Sequence, residues 1–423
     1  MTTEGQKGGK VFYGWWIVLA SGVGLAMHYD PIIVPTFGVF LKPLNQEFGW
    51  SRAQISLAFS LSVLGVTLTV PFIGRLVDHF GARRVILPAV LLFGLSVLSL
   101  SFLSAHLRHF YVIYLLMGVA ASGTTPVPYS KVISRWFDRR RGLALGLSVA
   151  ANALSASIMP SLAQALIAWV GWRQAYVLLG LMAMGVAIPV VGLFLKETPQ
   201  LMGLKPDGEA VGQAEASERR GQEEELSFHA TWHTGTFWLL VGAFFLMSVT
   251  FHGCIIHLVP LLTDRGLSAQ SAALAASLLG AGALLGRIGV GYLLDLFFAP
   301  SVAVCFFCAS TLGVSLLWSG AGGDLAFVAV VLVGLGQGAE LDVIPYLVSR
   351  YFGLRAFGEI YGYAFAVFTL GGVVGPLLMG MGFDATGSYR LALGVFALAT
   401  LTAAGLMTRL GPYRIWQPVA EAA

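Results

Sequence analysis

One arginine stands where burial is costly. Residues 266–294, GLSAQSAALAASLLGAGALLGRIGVGYLL, make an apolar run long enough to cross a bilayer, and Arg287 is its only charge. A lone guanidinium at that depth is unfavourable by several kcal/mol unless it meets an anion or water. Arginine keeps its proton and presents a planar fork of donors that fits a carboxylate. Arg287 therefore reads as the anchor for the anionic end of a small substrate; the structural alternative is permanent pairing with a buried acid. Two acids, Glu340 and Asp342, stand in the run GLGQGAELDVIPY. Asp342 lies eight residues before Arg350, and Arg287 lies eight before Asp295. At about 1.5 Å per helical residue both are roughly 12 Å from the same membrane face, so they can meet. Glu340 and Asp342, two apart, point to different helix faces. One of them is expected to neutralise Arg287 in the empty site and to exchange a proton as substrate arrives. For either residue alone, a fixed ion pair locking two helices is an equal alternative.

Other polar residues fall in apolar runs. His28 and Asp30, beside Pro31 and Pro35, form a candidate second proton site; the alternative is a charge in an outer vestibule. Tyr129, Asn152, Tyr346 and Tyr363 are candidates for the uncharged end of a substrate, although membrane tyrosines more often pack or mark interfaces. His252 and His257 are five residues apart and lie well apart around a helix, so no metal pair is expected. No phosphate-binding loop or nucleophile–base pairing is present, and neither enzyme activity nor a cofactor is expected.

The elements that must position these groups follow from composition. The chain has 423 residues, of which 57% are hydrophobic and 11% charged; its mean hydropathy is +0.79. Soluble domains carry about 25% charged residues, so composition alone indicates a membrane protein. The 52 glycines suit closely packed membrane helices. Cys254, Cys305 and Cys308 have no metal-ligand spacing and read as buried thiols. Apolar spans are placed at 12–40, 53–77, 82–104, 109–136, 142–169, 172–195, 235–263, 270–294, 300–319, 324–351, 357–382 and 389–410. The N-terminal stretch leads into a full-length span without a small-residue cleavage site, so no removable signal peptide is expected. Twelve spans put both termini on one side. The loops on that side hold 18 Lys and Arg against 6 on the other, which makes the termini cytoplasmic and the chain a multi-pass inner-membrane protein. The net charge of +4 sits in these loops and does not point to nucleic acid.

Residues 197–230 are the one long polar interruption, with eight acidic and three basic residues, and read as a cytoplasmic linker. They divide the chain into a first six-span bundle, 1–196, and a second with its tail, 231–423. The two repeat. Asp78 in GRLVD and Asp295 in GYLLD are 217 positions apart, and SRWF at 134–137 matches SRYF at 349–352. Gly142, Gly146 and Pro160 match Gly358, Gly362 and Pro376 at an offset of 216. The expected fold is all-α, with twelve transmembrane helices in two pseudo-symmetric six-helix bundles and a midplane site between them.

GRLVDHFGARR (74–84) resembles the cytoplasmic signature of the major facilitator superfamily, and the resemblance implies its fold, with spans one, four, seven and ten lining a cavity. Asp78, Arg135, Asp295 and Arg350 would then make ion pairs that close the cytoplasmic side, or serve only to fix orientation. WFDRRRGLALGLSVAA (136–151), GPLLMG (375–380) and, in part, YGWW (13–16) are similar to motifs of the monocarboxylate transporter family. In that family a span-eight arginine binds substrate carboxylate, and Arg287 matches it. The animal members' aspartate four residues earlier is Ala283 here, and their span-one lysine has no counterpart in IVPTFGVF (33–40). Oxalate-type exchangers add a span-eleven lysine, whereas 357–382 hold no Lys or Arg. The resemblance implies binding of one small monocarboxylate, lactate-like or pyruvate-like, but the family's proton route does not carry over, since its acid and lysine are missing here. Cotransport with a proton is expected because it makes the translocated unit neutral, which suits a cavity with one cation, and a monomer is expected. A carboxylate exchanger, a drug or sugar exporter of the same fold, and a non-transporting sensor remain the alternatives.

Overall fold

A computed structural model describes residues 12–50, 52–208 and 227–413. Lys7, Lys10, Arg219, Arg220 and Arg414, which contribute to the orientation count, lie outside the described residues, as does most of the linker, 209–226. Every described segment long and apolar enough to cross a membrane is helical, because inside a bilayer only a helix or a closed barrel satisfies the backbone. Eleven such segments stand among the described residues, and one of them, Arg141–Phe194, runs for 54 residues. Gly171 interrupts it with φ 80 and ψ 162, a left-handed conformation that suits glycine. The long helix is therefore two spans, 141–170 and 172–194. The protein has twelve spans in two six-helix bundles.

Span one is broken. Its pieces are Gly14–Ala26, Tyr29–Ile33 and Phe37–Phe48. His28 is extended between the first two pieces, and Pro31 falls in the first turn of the second, where its missing N–H would have no helical partner. Hydroxyls take up carbonyls that such breaks release: Thr36 donates to the Ile32 carbonyl. Span four bends similarly, from Leu107–Ala121 through Ser122–Thr124 to Pro126–Trp136. There the Ser122, Thr124 and Thr125 hydroxyls donate to the carbonyls of Val119, Ala121 and Ser122. The remaining spans are Arg52–Phe80 (two), Ala82–Ser99 (three), Gly235–Asp264 (seven), Ala269–Leu296 (eight), Ala299–Trp318 (nine), Asp324–Phe352 (ten), Phe357–Thr386 (eleven) and Arg390–Thr408 (twelve). One prediction needs correction: Cys254 is buried, but Cys305 and Cys308 are exposed on the outer face of span nine. An apolar run that faces lipid has no need to hide a thiol.

Both described chain ends lie at one end of the bundle. Tyr13 donates to the Phe194 carbonyl at 3.1 Å, while Tyr413 accepts from the Ala299 backbone at 2.8 Å. This terminal end also holds the start of the linker, where Glu197 accepts from the Arg83 backbone at 2.6 Å.

Spans eight and ten are the tightest pair relevant to the site. A Cβ on Gly338 would fall 2.2 Å from the Ala283 carbonyl oxygen and 2.6 Å from the Arg287 backbone nitrogen. The missing side chain lets the two backbones touch beside Arg287. Gly338→Ala should force spans eight and ten apart, an overpacking penalty of about 1–3 kcal/mol. A thermal-melt assay in detergent should show a lower Tm for Gly338→Ala. Gly280→Ala, where an added Cβ meets nothing within 4 Å, should melt like the parent.

Candidate functional site

Arg287 projects from span eight into the seam between the bundles and is only 4% exposed. Its Nε lies 3.7 Å from Asp342 Oδ2 on span ten, and its Nη1 donates to the Val149 carbonyl on span five at 3.3 Å. The guanidinium thus touches both halves. Asp342 is fully buried, and neither of its carboxylate oxygens accepts a hydrogen bond among the described residues. At 3.7 Å the pair is held by charge and lacks the short, directed hydrogen bonds of a closed arginine–carboxylate fork. Glu340 is 1% exposed with both oxygens likewise unpartnered, and it too lies within electrostatic reach of Arg287. Gly146 lets span five approach span eight beside the pair: an added Cβ would stand 3.3 Å from the Arg287 carbonyl oxygen and 3.9 Å from Asp342 Oδ2. Tyr361 of span eleven also lies near Asp342; its position in the sequence carries no signal of that.

The remaining candidates divide into separate places. Asn152, one turn beyond Val149 on span five, donates to Asp30 Oδ2 at 3.0 Å, and His28 accepts from the Asp30 backbone at 3.4 Å. Those three residues form one cluster. Tyr129 is buried against span one, its hydroxyl where a Cβ on Gly24 would fall at 2.3 Å. Tyr346 and Tyr363 are placed elsewhere than beside Arg287. Tyr346 lies one turn before Arg350, whose guanidinium covers its ring at 5.2 Å. Tyr363 accepts from Arg75 at 3.3 Å and stacks on Phe228 at 4.6 Å. His252 bonds to Ser248 on its own helix, and His257 to Tyr389, 3.4 Å away.

The terminal end carries a reciprocal interlock. Asp78 of span two accepts from the backbone N–H groups of Gly358 and Glu359, each at 2.8 Å, at the start of span eleven. Asp295 of span eight accepts from Gly142 and Leu143, at 2.7 and 2.9 Å, at the start of span five. Each half thus places a carboxylate on the N-terminus of a helix in the other half, where unpaired donors and the helix dipole favour an anion. The side-chain partner of Asp78 is Lys131 of span four, at 2.6 Å. Lys131 lies one turn before Arg135 and points inward, whereas Arg135 is only partly buried. Arg350 binds Asp138 Oδ1 at 2.7 Å, Arg141 donates to Ser349 at 2.8 Å, and Arg75 pairs with Glu359 at 2.6 Å. Lys131 and Arg141 count in sequence only towards orientation, and Asp138 and Glu359 are not singled out there.

Asp138 lies in the loop between spans four and five. Its partial burial opposes the charged form, but Arg141, Arg350 and Arg139 outweigh that and hold the carboxyl below the ordinary aspartate range. A depressed carboxyl contributes stability above its unfolded pKa of about 3.9 and loses it only as pH falls through the lower folded value. Spin labels at Phe80→Cys and Phe297→Cys, in a background without Cys254, Cys305 and Cys308, report the spacing of the terminal end. Asp138→Asn and Asp295→Asn should each shift that distance to longer values, with the open population rising about tenfold. In an Asp295→Asn background, the further shift caused by Asp138→Asn should be the same at pH 8 and pH 5.5; a smaller one at pH 5.5 would contradict the depressed carboxyl.

Residues 15–376 match the Major Facilitator Superfamily family profile. Monocarboxylate transporter 13 of Rattus norvegicus is 28% identical over 417 residues, covering 96% of this chain and 90% of its own. YcxA, an MFS-type transporter of Bacillus subtilis, is 25% identical, with 85% and 86% covered. Among solved structures, the E. coli fucose:proton symporter FucP superposes with a TM-score of 0.69 at 17% identity, over 94% of this chain and 97% of that one; it speaks for the fold alone. The matched profile spans both bundles and their interlocked ends, and the chain belongs to the Major Facilitator Superfamily.

Proposed function

We propose that this secondary transporter carries a small monocarboxylate together with a proton, and that Arg287 binds the carboxylate. The observation that carries the reading is the 3.7 Å gap between Arg287 Nε and Asp342 Oδ2, at a buried point where both halves meet. A substrate carboxylate can form the short bidentate contact that Asp342 does not make, and so displace it. Beside Glu340, the site then holds one cation and two carboxyl groups, that of Asp342 and that of the substrate. Desolvation disfavours a net charge there by several kcal/mol, so one carboxyl leaves the exchange as the acid. Substrate arrival and proton uptake are thereby linked. A single fixed cation suits one carboxylate rather than two. Similarity to monocarboxylate transporter 13 supports this substrate class, and the 18 to 6 loop count supports cytoplasmic termini. With that orientation the interlock of Asp78, Asp295 and Arg350 closes the cytoplasmic side, and opening towards the cytoplasm must break it. Glu340 is the second acid near Arg287, and its buried oxygens make it the reserve proton site.

Uptake of labelled lactate into proteoliposomes under an imposed inward proton gradient tests the reading. The parent protein should concentrate lactate only with the gradient. Arg287→Gln should lose uptake by about 100-fold, the scale of a missing charge-assisted bond in a desolvated site. Asp342→Asn should still bind and exchange lactate but no longer respond to the gradient. Gradient-independent accumulation by the parent would overturn proton coupling, and full uptake by Arg287→Gln would remove Arg287 from the site. A gradient response lost in Glu340→Gln but kept in Asp342→Asn would move the proton to Glu340.

A further inference from the structure

The seam holds a second polar end, contributed by the first half. Asp30 stands in the short middle helix of span one, just after the break at His28, and its side chain is exposed. Asn152 Nδ2 holds its Oδ2 at 3.0 Å. Asn152 itself is 5% exposed, and its Oδ1 has no partner among the described residues. The same is true of His28 Nε2, on a side chain 4% exposed. Asp30 is also close enough to act electrostatically on His252 of span seven, which places its carboxylate towards the second half. A buried amide oxygen and a buried ring nitrogen without partners, next to an exposed carboxylate, mark a place where a polar ligand is missing.

Span five gives the distance to Arg287. Asn152 is three residues beyond Val149, whose carbonyl accepts from Arg287 at 3.3 Å. Residues three apart share a helix face about 4.5 Å apart along the axis, so the Asp30 carboxylate and the guanidinium are separated by on the order of 10 Å. Charge-assisted hydrogen bonds of about 2.8 Å at each end leave about 4 Å for the ligand. That is the reach from a carboxylate oxygen to a substituent on the second or third carbon.

We propose that Asp30, positioned by Asn152, is a specificity subsite for a hydrogen-bond donor, hydroxyl or ammonium, on the second or third carbon of the transported acid. The inference rests on Arg287 binding the carboxylate end. An ionised carboxylate only accepts, so it welcomes a donor and repels a second carboxylate. A site built to bond a donor discriminates strongly against an analogue that lacks it, because the acceptor is then left unpaired.

Lactate, alanine and propionate share one three-carbon skeleton and differ at the second carbon by hydroxyl, ammonium and hydrogen. Their uptake into proteoliposomes at one fixed pH tests the subsite and separates the two donors. The parent should take up lactate or alanine at least about tenfold faster than propionate. Asp30→Ala should bring that ratio close to one, and Asp30→Asn should leave it intermediate. Equal uptake of all three acids by the parent, or an unchanged ratio in both Asp30 variants, would overturn the subsite. Arg287→Gln checks the carboxylate end separately: if it carries propionate at the parental rate, or if the parent takes up none of the three acids, the Arg287 reading fails and this one with it.

Discussion

A guanidinium in a low-dielectric seam must be neutralised, and much of this structure answers that need. Arg287 cannot give up its proton, so its surroundings supply the compensating groups. Asp342 reaches it from span ten, Glu340 lies nearby, and the Val149 carbonyl reaches it from the other half. Span ten approaches span eight backbone to backbone at Gly338, which places the acids beside the guanidinium, and the contact between Arg287 and Asp342 is loose at 3.7 Å. A loose pair is a poor lock and a good exchange site. Both halves share the cation, so any movement of one bundle against the other changes its environment.

The terminal end solves the opposite problem. There the charges hold the halves together, and they do so mainly through backbone N–H groups at helix starts. Asp78 and Asp295 each close the second span of one half and cap a helix of the other. Such contacts are directional but few, and several sit at the edge of solvent. The described start of the linker contributes too: Asp207 accepts from the backbone of Asp138 and Arg139, at 2.8 Å each, and so steadies the loop that Arg350 grips.

Between these two regions lies a short polar path along span five. Gly146 faces Asp342, the Val149 carbonyl faces Arg287, and Asn152 faces Asp30. One helix of the first half thus presents successive turns to the cation of the second half and to the carboxylate of span one. The broken backbone of span one is what puts Asp30 there, because a continuous helix would carry its side chain around the axis instead.

The sequence by itself determined the membrane class, the twelve spans, the repeat, the buried arginine and the helix that bears its acids. Each of these depends on local composition, on a period or on distance along one helix, all of which are written in order along the chain. It also limited the acid near Arg287 to two residues, since depth along a helix can be counted. Tertiary structure decided which acid faces the guanidinium, that Lys131 meets Asp78, and that Asp78 and Asp295 cap backbone amides across the seam. It decided as well that Tyr346 and Tyr363 belong with arginines of the interlock, and that Asn152 belongs with Asp30. These are questions of rotation and of which helix lies opposite. A helical period fixes a side chain's direction relative to its own axis, and only packing fixes that axis relative to its neighbours.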